Sequence, residues 1–126
     1  MRHIVSAMLL LVALIHLLPL AGVLGAARLA ALYGVQLGDP NLVILMRHRA
    51  VLFGLLGGFL AIAAFRPALQ PMAFAAGAAS VLSFLCLAWA AGSYNAQIAR
   101  VVTADVVAGI ALLIGVMAYV WPGRQI

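Results

Sequence analysis

Apolar residues fill this chain in four long blocks, separated by short clusters of proline, glycine and polar residues. A helix needs about 20 apolar residues to cross a hydrocarbon layer. Four segments reach that length, at about 4–23, 40–65, 71–92 and 98–121. The punctuation between them agrees. Asp39-Pro40 is a helix-start signal: a carboxylate that caps free N–H groups, then a residue that has none to satisfy. Pro71 opens the third block in the same manner. The link Arg66-Pro67-Ala68-Leu69-Gln70 is so short that helices two and three are expected as antiparallel neighbours.

The first block has the outline of a secretion signal, with Arg2 ahead of an apolar run and small residues at Gly25-Ala26-Ala27. We read it as a retained first span. Between the first two blocks, Ala26-Ala27-Arg28-Leu29-Ala30-Ala31-Leu32-Tyr33 is followed by Gly34 as a stop. That pattern predicts a short interfacial helix lying over one end of the bundle. The expected fold is all-α: a single domain over residues 1–126, a four-helix transmembrane bundle with a short interfacial helix in the first loop.

Composition sharpens this picture. Of 126 residues, 68% are hydrophobic and 7% charged, with a mean hydropathy of +1.26. A soluble domain of this size needs far more polar surface. Every basic side chain is arginine, and the chain has neither lysine nor glutamate. A P-loop, a Schiff-base lysine and a four-carboxylate di-iron site are therefore excluded. Acid chemistry rests on Asp39 and Asp105. Cys86 is alone, so neither an intrachain disulfide nor a paired-cysteine metal motif exists. No metal and no cofactor is predicted. The net charge of +5 is spread over isolated arginines, which suits anionic lipid headgroups and not nucleic acid.

The arginines also suggest an orientation. Arg2, Arg66 and Arg124 fall on one side; Arg28, Arg100, both aspartates and the Arg47-His48-Arg49 cluster fall toward the other. We expect a multi-pass protein of the bacterial inner membrane with both termini cytoplasmic.

Counting back about 20 residues from Phe65 puts the other border of the second span near Met46. At ~1.5 Å per residue, Arg47 lies at that edge and Arg49 roughly 5 Å inside it. Asp105 comes out roughly 5 Å inside the same border, and His16 about 10 Å. Rare polar residues from several helices thus collect toward one leaflet, and such residues suggest a site by default. Residues two apart point to different helix faces. Arg47 lies above Ala50, Gly54 and Gly58, a small-residue face that lets helices approach closely, whereas Arg49 lies above the bulky Phe53, Leu56 and Leu60. We therefore expect Arg47 to point into the bundle and pair with Asp105, and Arg49 to point toward headgroups or the loop. Plainer readings stand beside these. Border arginines snorkel to phosphate, an Arg–Asp pair holds helices together without further role, and His16 serves as a hydrogen-bonded core histidine. Tyr33, Trp89, Tyr94, Tyr119 and Trp121 fit an aromatic belt. Ser80 and Ser83 are expected on their own helix carbonyls, and Cys86 as inert packing.

Leu32-Tyr33-Gly34-Val35, Asp39-Pro40-Asn41-Leu42 and Met46-Arg47-His48-Arg49-Ala50-Val51-Leu52-Phe53-Gly54 form a recognisable series, joined by Ser93-Tyr94-Asn95 and the run from Val102 to Asp105. Together they resemble a family of small bacterial four-helix inner-membrane proteins, whose members are often labelled phosphopantetheine adenylyltransferase. The likeness spans nearly the whole chain, and Arg-His-Arg is its most distinctive part. Nucleotidyl transfer from ATP would need a phosphate-binding loop and metal-holding groups, and this sequence has neither. The resemblance implies the architecture and draws attention to Arg47, His48, Arg49 and Asp105, without supplying a reaction.

The favoured reading is a membrane-embedded site for an amphipathic small molecule, a lipid, fatty acid or quinone-like compound with an anionic or polar head. Its expected ligand-binding residues are Arg47, His48, Arg49, Asp105 and His16. Whether chemistry follows binding is left open, as is a homo-oligomer. The alternative is a non-catalytic accessory subunit that docks a partner membrane subunit. A lesser one is a b-type haem protein with His16 and His48 as axial ligands. A small drug exporter would carry a membrane carboxylate in its first helix, where this chain has only His16.

Overall fold

The computed structural model describes residues 2–36 and 38–121. Arg124, used above for orientation, lies outside them. The described residues form five α-helices and no strand: α1 (Arg2–Leu17), α2 (Ala26–Tyr33), α3 (Pro40–Ala63), α4 (Gln70–Ala91) and α5 (Ala96–Val120). Four spans are long and apolar enough to cross a membrane, at Arg2–Leu24, Pro40–Ala63, Pro67–Ala91 and Ala96–Val120. The protein is a multi-pass helical bundle.

Local chemistry sets the ends. Pro19 has no N–H to give to the α-helical ladder, and the first span continues beyond α1 as a tighter 3-10 stretch, Leu18–Leu24. Gly34 ends α2 in the left-handed region at φ +65°, as the sequence predicts. Asp39 caps α3, its side chain accepting from the Asn41 N–H at 2.9 Å, with Pro40 in the first turn. Asn95 caps α5, accepting from the Ile98 N–H at 2.8 Å. Gln70, 1% exposed, sits in the α3–α4 corner and donates to the Ala63 carbonyl at 3.1 Å. That carbonyl is among those a helix end leaves without an intrahelical partner.

The four spans close into a ring. α1 packs against α3 and α5, α5 also against α4, and α4 more lightly against α3. Short returns make the second, third and fourth spans antiparallel in turn, while the first reaches the second through α2. α2 lies across one end, touching the 3-10 stretch, α5 and α3. Leu9, Val12, Leu60 and Val81 form the sealed centre, each at 0% exposure. Small residues allow the close approach: Leu17 and Leu20 seat against Gly57 and Gly54 of α3, and Phe74 of α4 seats against Gly115 of α5. The sequence places Ala50 and Gly54 on this face; Gly57 packs there in place of the expected Gly58, where a Cβ would meet nothing within 4 Å. What the face packs against is the end of the first span, with consequences for both arginines.

Candidate functional site

A cavity of about 250 Å³ lies beneath α2, between α1, α3 and α5. Its walls are largely apolar, with Ile15, Leu18, Leu32, Phe53, Val101 and Ala104 among them. The polar groups are His16, Tyr33, Arg49, Gln97, Arg100 and Asp105. A few placed polar groups on apolar walls is the usual make-up of a small-molecule site.

Arg49 is its most constrained member. Its Nη1 donates to the Tyr33 hydroxyl at 2.7 Å. Its guanidinium carbon lies 4.4 Å from the centroid of the Phe53 ring and 5.2 Å from that of Tyr33. Two aromatic faces thus hold the cation in place while stabilising its charge. Tyr33 is 4% exposed, a wall of the cavity and not a belt residue. It is fixed in turn by Asn95, whose amide donates to the Tyr33 carbonyl at 2.8 Å and to the Gly34 carbonyl at 3.2 Å. Asp105 is half-buried and faces the same space, within electrostatic reach of Arg49.

Arg47 takes the opposite course to the one expected. It is exposed, and its Nε donates to the carbonyl of Val23 at 2.8 Å, at the end of the 3-10 stretch. The cavity with Asp105 receives Arg49 instead. The reason is steric. The face carrying Arg47, Ala50, Gly54 and Gly57 is small because the first span presses against it, which leaves no room for a guanidinium. The bulky face carrying Arg49 and Phe53 stands off from its neighbours, and a cavity opens there. His48 is exposed and does not line the cavity.

His16 lines the cavity floor yet is 2% exposed and fully engaged. Its Nδ1 is 2.9 Å from the Val12 carbonyl and its Nε2 is 2.9 Å from Ser80 Oγ. A carbonyl only accepts, so Nδ1 carries the proton and Nε2 accepts from the serine. Phe53 packs beside the ring, centroids 5.6 Å apart. With both nitrogens used and His48 on the exterior, these histidines do not form a facing axial pair. Ser80 therefore bonds across the bundle, while Ser83 donates to the Ser80 carbonyl at 3.0 Å as expected. Cys86 is exposed and not packed inside. Among the described residues no group of three or more His, Cys, Asp or Glu is placed to share a metal ion.

The structure thus brings together His16, Arg49 and Asp105, and leaves Arg47 and His48 outside. Sequence reasoning missed Tyr33, Phe53, Gln97 and Arg100 as cavity residues. The signal for three of them was periodicity: Phe53 follows Arg49 by one turn, while Gln97 and Arg100 precede Ala104 by seven and four residues. No family model matches the chain, and no curated protein or solved structure matches it either.

Proposed function

We propose that this protein binds an amphipathic small molecule from the membrane, a lipid, fatty acid or quinone-like compound whose negative or polar head sits at Arg49. The observation that carries the reading is Arg49 itself, held between Tyr33 and Phe53 in a largely apolar cavity. A guanidinium offers several N–H donors in a fixed fork suited to a carboxylate or phosphate. The Tyr33 bond uses one of them. At about 250 Å³ the cavity takes a head and the start of a chain, and a longer tail continues into the bilayer. Arg100 at the rim adds a second positive charge.

The same reading extends to the membrane. The resemblance to small bacterial inner-membrane proteins and the arginine distribution favour both termini in the cytoplasm, which puts the cavity at the periplasmic end. In a Cys86→Ala background, a membrane-impermeant maleimide should label a cysteine at Gln36 in intact cells and spare one at Ala68. The reverse pattern would invert the orientation.

The test of the site is a thermal-shift series with alkyl phosphates, fatty acids and quinones. Head-dependent stabilisation that Arg49→Gln removes supports the proposal. Indifference to every compound, with a membrane subunit co-purifying, would replace it with an accessory role.

A further inference from the structure

Asp105 is the acidic group of the cavity, and no partner is placed for it among the described residues. It is half-buried on α5, in a span that crosses the membrane, and makes no hydrogen bond or contact ion pair among the described residues. Such a carboxylate is costly unless something donates to it. Of the neighbours in the cavity, Gln97 stands eight residues earlier on α5, about 12 Å along the axis, and the charged and ring groups are otherwise committed. Arg49 lies within electrostatic reach, but one arm is tied to the Tyr33 hydroxyl and its plane is held against Phe53. Both nitrogens of His16 are used by Val12 and Ser80. Arg100 is exposed at the rim.

The cavity is therefore two-signed. Arg49 and Arg100 attract an anion, and Asp105 repels it. Two positive charges less one negative leave a balance of +1, so a purely anionic head would bind against a carboxylate that stays unsatisfied. A carboxylate accepts hydrogen bonds and gives none. We infer that the ligand's head carries, beside its negative group, an N–H or O–H donor that Asp105 accepts. The chemical class is a phosphate- or carboxylate-bearing amphiphile with a hydroxyl or primary ammonium a few bonds from the anion, of which phosphoethanolamine and phosphoglycerol heads are examples. This rests on the proposed binding site and specifies what that site selects.

The experiment compares dodecyl chains bearing four heads: phosphate, phosphocholine, phosphoethanolamine and phosphoglycerol. Affinities are measured by calorimetry on the full chain in maltoside micelles. Choline and ethanolamine heads have the same net charge and differ in N–H donors. The expected result is about tenfold or tighter binding of the ethanolamine and glycerol heads over choline, the size of one charge-assisted hydrogen bond. Asp105→Leu should erase that difference while dodecyl phosphate binds at least as well as before. Equal binding of choline and ethanolamine heads by the unaltered protein would overturn the inference and leave the anion site intact. So would persistence of the preference in Asp105→Leu. Failure of all four heads to bind would remove the site reading as well. The comparison on unaltered protein decides even if the variant does not fold.

Discussion

The Nη1 of Arg49 and the phenol oxygen of Tyr33 lie 2.7 Å apart across 16 residues of sequence. Their bond joins α3 to the interfacial helix α2, and it holds in the cavity the arginine of Arg47-His48-Arg49 that the packing of the first span directs there. A two-residue step on a helix turns a side chain to another face. The choice between neighbours is therefore the choice between a cavity-lining residue and a carbonyl clip.

The two arginines should separate cleanly on substitution. Arg49→Gln is expected to weaken binding of dodecyl phosphate by about tenfold or more, the loss of a charge-assisted contact. Arg47→Gln removes an exposed bond to the Val23 carbonyl, costs about 1 kcal/mol of stability or less, and leaves affinity within about twofold. Titration calorimetry on both variants checks this; equal losses would contradict the placement.

His16 and Ser80 should behave as a coupled pair. Ser80→Ala leaves a buried ring nitrogen without its partner, at a cost of about 1–3 kcal/mol. Removing both polar groups, as in His16→Phe with Ser80→Ala, should cost less than the sum of the single changes. A double-mutant cycle in denaturant unfolding measures the coupling. Strict additivity would show that the bond contributes nothing.

Neighbouring glycines on α3 should respond differently. A Cβ at Gly57 would stand 2.8 Å from Leu17 Cγ and 3.1 Å from the Ala13 carbonyl oxygen, so Gly57→Ala must push the first span away. About 1–3 kcal/mol of destabilisation follows from such overpacking. A Cβ at Gly58 meets nothing within 4 Å, and Gly58→Ala should be neutral or slightly stabilising. Melting temperatures of the two variants in one detergent decide it.

Gly34 and Gly92 both sit at positive φ, +65° and +82°. Alanine at either costs about 1–2 kcal/mol in backbone strain. Only at Gly34 would the new methyl also strike Gln97 and Asn95, at 2.6 and 2.9 Å. Gly34→Ala should therefore weaken head binding as well as stability, and Gly92→Ala stability alone. Paired thermal and binding measurements distinguish them.

Much of the architecture was legible because it follows from short-range chemistry. Span lengths, the Asp39-Pro40 start and the Gly34 stop depend on a few adjacent residues, and each matches within a turn. The site was legible in part. Depth counting gathered Arg49, Asp105 and His16 toward one end, where they line one cavity. Periodicity could say that Arg47 and Arg49 face apart, but not which face meets a neighbour tightly and which leaves space. That depends on where Leu17 and Leu20 of the first span come to rest, a contact between distant segments. Tyr33 was hidden for a similar reason. A border tyrosine fits an aromatic belt equally well until Asn95, 62 residues away, is seen holding its carbonyl.

That grip by Asn95 has a mechanical consequence. One side chain fastens the end of α2 and starts α5, so the two elements form a single leaf. For a tail too bulky for the resting cavity, lifting α2 alone costs both Asn95 bonds as well as the Arg49–Tyr33 bond. If α2 moves together with the start of α5, the Arg49–Tyr33 bond is the latch that opens. Spin labels at Ala27 and Thr103 should then keep a constant separation when ligand enters, while the separation from Ala27 to Leu45 broadens.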